Sequence, residues 1–236
     1  MSPHIKIDTL ILSDLHLGSP TGKPGLVRSL LTRHAFKRLI LLGDIFDHHA
    51  NYPYLDQEHL DLVSLIRSFS DEQDREVIWI RGNHDHNRDG SLSSFVGAPV
   101  LDQYSWRHSG KTFLAIHGDQ FDSFMSEMST VDRLAHTFFL QIQKLDRKGR
   151  HIVKLIDYVN ARIRRLPSKI ARGAIKHAEE QKAQYVFCGH THVAAELTHS
   201  NATGNVHYYN TGCFTHTPST FAVVDDVGNI LLEKYS

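Results

Sequence analysis

Five short polar motifs in this chain of 236 residues each follow directly on a short apolar segment. The preceding segments, such as residues 5–13 and 38–42, have the length and the Ile and Leu content of buried strands. This arrangement predicts an α/β sheet whose ligands gather beyond the carboxyl ends of the strands. The motifs are Asp14-x-His16, Gly43-Asp44-x-x-Asp47, Gly82-Asn83-His84-Asp85, His117-Gly118-Asp119 and Gly189-His190-x-His192.

Helices alternate with strands early in the chain, and hairpins dominate its end. Apolar spacing near 3.6 residues predicts helices at residues 26–34 and 55–69. We therefore predict an α/β fold in which two packed sheets lie between outer helices, a two-sheet αββα sandwich. Further strands are expected at residues 77–80, 104–108, 112–116, 185–188, 193–197, 206–210, 221–224 and 230–233.

Residues 121–182 interrupt the strand pattern with helical periodicity. Their 13 Lys and Arg against 7 Asp and Glu give a net charge of +6, whereas the whole chain is neutral. Pro167 is a plausible break, with Ser168 as the N-cap of a third helix. We predict one domain, residues 1–236, with an inserted basic helical cap at 121–182. Its apolar stripes fit either helix packing or a substrate groove.

Composition excludes several classes of protein. Two cysteines cannot make a disulfide framework or a Cys-rich zinc site. No apolar run approaches the roughly 18 residues of a membrane helix. Zero net charge makes nucleic acid an unlikely partner, although the basic segment keeps that option open. We expect a cytoplasmic protein without an obligate protein partner, and peripheral contact with the anionic inner membrane surface as one option.

The residue types in the motifs suit divalent metal ions. Carboxylate and amide oxygens and neutral imidazole nitrogens bind Mn²⁺, Fe²⁺ or Zn²⁺. Residues two apart at a strand end point to the same side. The candidate ligands exceed what one tetrahedral ion needs, whereas two ions about 3.5–4 Å apart that share a carboxylate would use them all. These candidates are Asp14, His16, Asp44, Asn83, His117, His190 and His192.

The ordered set DxH, GDxxD, GNHD, HGD and GHxH resembles the calcineurin-like metallophosphoesterase family. The resemblance implies a first metal held by Asp14, His16, Asp44 and His192, and a second held by Asp44, Asn83, His117 and His190. It also implies that Asp44 bridges the two ions, that His84 is the catalytic histidine and that Asp47 orients it. Two divalent ions, with Mn²⁺ favoured and Fe²⁺ or Zn²⁺ as alternatives, would then activate hydroxide for attack on phosphorus.

A finer resemblance concerns the substrate. The run from His117 to Asp122, the basic insertion and Tyr209-Asn210-Thr211-Gly212 are similar to the UDP-2,3-diacylglucosamine pyrophosphatase-like branch. That branch carries Arg where this chain has His84. The resemblance implies a nucleotide-linked lipid as substrate. The alternatives are a general phosphodiesterase, acting on a cyclic nucleotide or nucleic acid, and a non-catalytic scaffold of the same fold.

Several residues near the motifs have more than one reading. Arg81, Arg162 and Arg165 are candidate phosphate contacts, because guanidinium groups suit phosphates. Cys188 is expected to be a small buried residue beside the site. The sequence leaves the role of Cys213 open, and His216 is either exposed or part of the cleft. Asp85 and Asp119 are expected to support the site.

Overall fold

The computed structural model describes residues 7–47, 55–85, 93, 97–122, 166–202 and 204–236. Two sheets account for all the strands in these ranges. The strands are β1 (Ile7–Leu12), β2 (Phe36–Leu42), β3 (Glu76–Ile80), β4 (Val100–Leu101), β5 (Gln103–His108), β6 (Lys111–Ile116), β7 (Tyr185–Cys188), β8 (Ala195–Asn201), β9 (Gly204–Asn210), β10 (Ser219–Asp225) and β11 (Ile230–Tyr235). The first sheet has the order β11-β10-β1-β2-β3-β4, and the second has the order β5-β6-β7-β9-β8.

Each sheet contains a block of parallel strands. In the first sheet β1 pairs with β2 and β2 with β3. In the second sheet β6 pairs with β7 and β7 with β9. The carboxyl ends of parallel neighbours meet at one edge of a sheet. Seven strands lie in these parallel blocks, because β4 also pairs in parallel with β3, and five of the loops that follow them carry the predicted motifs.

In the described residues, three α-helices cover the outer faces: α1 (Pro24–Arg33), α2 (Gln57–Ser70) and α3 (Leu166–Glu180). One apolar cluster joins α1 and α2 to the first sheet, and another joins α3 to the second. A third cluster lies between the sheets, because successive residues of a strand point to opposite faces. These four layers confirm the predicted αββα sandwich.

Most predicted elements are confirmed, but one helix start is wrong. Residues 166–168 already belong to the helix, so Ser168 is not its N-cap. α3 packs on the second sheet, whereas residues 123–165 of the predicted cap lie outside the described residues. Within the described part of the chain, no helix has the length and apolar character that a membrane crossing requires.

Candidate metal centre

Six of the seven predicted ligands form two groups that share Asp44. The first group has ligand atoms of Asp14, His16, Asp44 and His192 within 4.8 Å of one another. In the second group Asp44 meets His117 and His190 at similar separations. The ligands come from loops after β1, β2, β6 and β7, so the centre lies where the parallel strand ends of both sheets meet.

The backbone at these positions is unusual. Among the described residues, seven other than glycine have a positive φ, and five of those seven are predicted ligands. Such conformations cost about 1–3 kcal/mol each and persist where surrounding contacts hold them. The contacts here join neighbouring loops, since the N–H of Asp14 donates to Gly43 and the N–H of His16 donates to Asp44, both at 3.0 Å. The five are Asp14, His16, Asp44, His190 and His192.

Gly43 precedes Asp44 and has a φ of +80°. A Cβ atom there would lie 2.2 Å from Nδ1 of His117, so only glycine lets the β2 loop approach that ring. Gly82 has a comparable role, because its Cβ would lie 2.2 Å from the backbone nitrogen of Asp44. Glycine in these two motifs therefore provides close backbone approach between loops.

Each predicted carboxylate ligand has one oxygen fixed by a backbone amide. Asp14 Oδ2 accepts from the N–H of His190 at 3.0 Å, and Asp44 Oδ1 accepts from the N–H of His84 at 2.7 Å. The second oxygens face imidazoles. Asp14 Oδ1 lies 3.0 Å from Nε2 of His192, and Asp44 Oδ2 lies 3.4 Å from Nε2 of His117. The carboxylates are thus oriented by the protein and directed into the centre.

Two imidazoles of the second group are oriented in the same way. His117 Nδ1 donates to the carbonyl of Leu42 at 2.9 Å, which directs its Nε2 toward Asp44. His190 Nε2 lies 3.2 Å from Oδ2 of the buried Asp122, which makes Nδ1 the nitrogen available for a ligand. Asp122 was part of the sequence resemblance, but its contact with His190 was not predicted. A carboxylate behind a histidine is a common support for a metal ligand.

A buried, unpaired acceptor provides the test of whether the centre fits a cation. Within the described ranges, Asn83 Oδ1 is buried without a hydrogen-bond partner. His16 Nε2 and His192 Nε2 lie within hydrogen-bond distance of each other, at 3.2 Å. Leaving a buried acceptor unpaired costs about 1–3 kcal/mol. Oxygen and nitrogen acceptors that converge around a shared carboxylate fit divalent cations. The residues of this centre are therefore suited to bind the ions predicted from the sequence.

Electrostatics lead to the same conclusion. Burial lowers the pKa of His16 to about 4, with the neighbouring His192 adding to the effect. Burial also opposes protonation of His117, but the Asp44 carboxylate outweighs it and raises the pKa of His117 to about 10. The pKa of Asp44 falls well below its usual value, because His117 outweighs the effect of burial. The carboxylates of the centre therefore stabilise positive charge beside them.

His84 and Asp47 lie at the rim of the centre. His84 Nδ1 is 3.5 Å from Asp47 Oδ1, and each side chain is 25% exposed. The His84 ring meets the His16 ring edge to face with centroids 4.7 Å apart. Burial lowers the pKa of His84, but Asp47 and Asp44 outweigh it and raise that pKa above its usual value. This pair is placed to carry a proton beside the predicted ligands.

Asp85 connects the second and third motif loops from below. Its Oδ1 accepts from the N–H groups of Ile45 and Phe46 at 3.0 and 3.1 Å. Its Oδ2 accepts from the N–H of Gly82 at 3.0 Å. Burial and the nearby Asp44 charge raise the pKa of Asp85 to about 7. Asp85 thus supports Asp44 by fixing the loop that follows it, as the sequence predicts.

The three predicted arginine contacts remain predictions. Arg81 follows β3, and its guanidinium lies 2.9 Å from the carboxylate of Asp102 with 44% of the side chain exposed. Arg162 and Arg165 lie outside the described residues. Asp119 begins a short 3-10 turn that leads to Asp122.

The parallel strand end after β9 was missed as part of the centre. It leads to Cys213, whose Sγ lies within 4.8 Å of ligand nitrogens of His192 and His216. A strand followed by Thr211-Gly212-Cys213 was the available signal. Cys188 is buried at the end of β7, as expected.

The chain is similar to several known proteins in sequence or in fold. The curated UDP-2,3-diacylglucosamine hydrolase of Chromohalobacter salexigens is 34% identical over 118 residues, which cover 47% of this chain and 46% of that relative. The chain thus matches less than half of the relative's length. A dimetal phosphatase from Danio rerio has a similar fold, with a TM-score of 0.50, 11% identity and coverage of 98% of this chain and 96% of that one. Vps29 of Entamoeba histolytica with zinc gives a TM-score of 0.46 and 12% identity, covering 96% and 97%.

A sequence profile described as calcineurin-like phosphoesterase matches residues 7–194. This match extends from β1 past the end of β7 and includes all five motifs. The chain therefore belongs to the calcineurin-like phosphoesterase family.

Proposed function

We propose that this protein is a dinuclear-metal phosphohydrolase that cleaves a phosphoester or pyrophosphate bond. The observation that carries the proposal is the position of Asp44 in both ligand groups, since a shared carboxylate is what a pair of ions requires. In this proposal Asp14, His16 and His192 complete the first site, and Asn83, His117 and His190 complete the second. Mn²⁺ is the favoured ion, with Fe²⁺ and Zn²⁺ as alternatives.

When bound, the two divalent ions supply Lewis acidity toward water and the phosphoryl oxygens. The chain supplies orientation and a proton. Asp47 lies beside Nδ1 of His84, which directs the proton on Nε2 toward the leaving-group oxygen. Asp85 accepts from two backbone amides of the loop of Asp44 and from one of its own loop, and Asp122 contacts His190. These contacts fix the catalytic geometry before substrate arrives.

For the substrate, we propose a nucleotide-linked lipid diphosphate of the UDP-2,3-diacylglucosamine type. Water adds to one phosphorus, the P–O–P bond breaks and two phosphomonoesters result. The partial match to a UDP-2,3-diacylglucosamine hydrolase supports this substrate, as does the net charge of +6 in residues 121–182. Arg81, Arg162 and Arg165 are the proposed phosphate contacts, and a lipid substrate would bring this proposed cytoplasmic enzyme to the anionic inner membrane surface.

A general phosphodiesterase is the second candidate. The His84–Asp47 pair favours it, because the lipid-specific branch that the sequence resembles has Arg in place of this histidine. A panel with manganese separates the two candidates: UDP-2,3-diacylglucosamine, a cyclic nucleotide, an oligonucleotide and bis(p-nitrophenyl) phosphate. Release of UMP at a kcat/KM at least about tenfold above every diester supports the lipid pyrophosphatase. Equal or faster diester cleavage supports the second candidate.

Metal removal tests the proposed chemistry itself. Exhaustive chelation should abolish hydrolysis of bis(p-nitrophenyl) phosphate, and Mn²⁺ should restore it with two ions bound per chain by elemental analysis. Turnover that persists in protein shown to be metal-free would contradict the dinuclear mechanism.

Replacement of His84 tests the proton donor. His84→Ala should retain both ions but lose about 100-fold or more in kcat, which is the range of general acid catalysis. His199→Ala, at a histidine with 53% of its side chain exposed on β8, is the matched control and should retain wild-type kcat. An unchanged kcat in His84→Ala would remove this residue from the chemistry.

A further inference from the structure

The loop after β9 brings a thiol close to a predicted metal ligand. Ligand atoms of His192, Cys213 and His216 lie within 4.8 Å of one another. Cys213 is buried with 2% of its surface exposed, whereas both histidines are partly exposed. The three side chains thus form a cluster with a buried sulfur and an open side toward solvent.

The chemistry of this cluster differs from that of the dinuclear centre. The centre is rich in carboxylate oxygen, whereas the cluster offers one sulfur and two imidazoles. Thr215 Oγ1 donates to the Cys213 sulfur at 3.3 Å, which stabilises negative charge on that sulfur. Thiolate and imidazole ligands select thiophilic ions such as Zn²⁺ over Mn²⁺.

The loop that carries the cluster is anchored on several sides. The N–H of Phe214 donates to the carbonyl of Asp14 at 3.2 Å, and the N–H of Thr220 donates to the carbonyl of Cys213 at 3.1 Å. The carbonyl of His216 accepts from Ser219 Oγ at 3.1 Å and from Lys23 Nζ. The loop is therefore held against the dinuclear centre without any ion in the cluster.

The three ligand atoms lie within reach of a single zinc ion. Tetrahedral zinc places its sulfur and nitrogen ligands about 3.4–3.6 Å apart and keeps a fourth position open when the protein supplies three ligands. Side-chain movements of roughly 1 Å would close the present separations to that range. The partly exposed histidines leave a path for the ion and room for a water ligand.

We propose that His192, Cys213 and His216 form a separate binding site for a thiophilic divalent cation, which competes with the dinuclear centre for His192. The competition follows from the position of the His192 ring, whose Nε2 lies 3.0 Å from Asp14 Oδ1 in the first ligand group. Cation binding releases the thiol proton of Cys213 to solvent and draws the shared imidazole away from the first group. The competition rests on the proposed function, but binding at the cluster does not.

Cobalt reports binding directly, because a Co²⁺–thiolate bond gives an intense near-ultraviolet charge-transfer band. Titration of the metal-free protein with Co²⁺ should produce this band in the wild type and in Cys188→Ala, which removes the other thiol. The band should be lost in Cys213→Ser and weakened in His216→Ala. No band in the wild type, or a band that persists in Cys213→Ser, would overturn the proposal. Circular dichroism establishes that each variant is folded, and the partly exposed His216 provides a second variant should Cys213→Ser unfold.

Inhibition tests the competition. Added Zn²⁺ should inhibit the manganese-loaded enzyme, and the concentration for half-inhibition should rise at least about tenfold in His216→Ala and Cys213→Ser, in the range that supporting ligands contribute. An equal half-inhibition concentration in all three proteins would overturn the competition. Because the cobalt band does not require turnover, an inactive enzyme that still shows the band would contradict only the proposed hydrolase.

Discussion

The two ligand groups of the centre differ in how their histidines are held. In the second group, Leu42 fixes His117 and Asp122 fixes His190 from behind. In the first group, the Nε2 atoms of His16 and His192 lie 3.2 Å apart, and Cys213 lies close to His192. A backbone carbonyl and a buried carboxylate orient the histidines of the second group, whereas the histidines of the first group contact each other.

This difference predicts unequal affinities. Oriented ligands lose less freedom on binding, so we expect the second site to hold its ion more tightly than the first. Stepwise chelation with elemental analysis would then pass through a species with one ion per chain. Three experiments test this difference. The first alters both sites, the second alters one site, and the third measures the protons that the centre holds.

The largest effect is expected from Asp44→Asn, since Asp44 belongs to both groups. The amide can keep the contact of Oδ1 with the N–H of His84 but loses the bridging charge. We expect kcat on bis(p-nitrophenyl) phosphate to fall about 1,000-fold or more, the upper range for loss of one electrostatic group, with fewer than two ions retained. Asp61→Asn on the exposed face of α2 is the control. Two retained ions and a rate within tenfold of wild type would contradict the bridging role.

A smaller effect, confined to the second site, is expected from Asp122→Asn. An amide in place of the carboxylate weakens the support of His190, so affinity for the tighter ion should fall about 10–100-fold. Calorimetric titration with Mn²⁺ measures both sites in one experiment. Asp226→Asn, in an exposed turn, should leave both affinities unchanged. Loss of Mn²⁺ affinity at the weaker site instead would contradict the assignment of the tighter site to the second group.

The smallest effect is a pH dependence. In the metal-free protein Asp44 raises the pKa of His117 to about 10, against the effect of burial. This pairing stabilises the metal-free fold fully below the ordinary pKa of about 6.5, and the contribution is lost as pH rises toward 10. Metal binding needs the neutral ring, so it releases a proton and affinity should rise up to about tenfold per pH unit for each proton released. Calorimetry in buffers of different ionisation enthalpy measures this release, and a value of zero at pH 7 would contradict it.

Much of the fold could be predicted because its signals are local. The hairpin of β5 and β6 follows from alternating residues around Ser109-Gly110, and the structure has the turn there. Ser168 was wrongly predicted as an N-cap, because a proline indicates a nearby helix boundary without fixing the residue at which the helix begins. The sequence likewise indicated glycines before Asp44 and Asn83, but only the fold revealed the atoms that require them.

The sequence by itself determined which side chains stand at the strand ends. An apolar run followed by a polar motif can be recognised without knowledge of the residues that it contacts. Only the tertiary structure decided how those ends meet. It places Asp122 against His190, 68 residues away, and His16 against His192, 176 residues away. It also places Cys213 beside His192. Such contacts depend on how the two sheets pack against each other, and neither residue of a distant pair carries a local signal for the other.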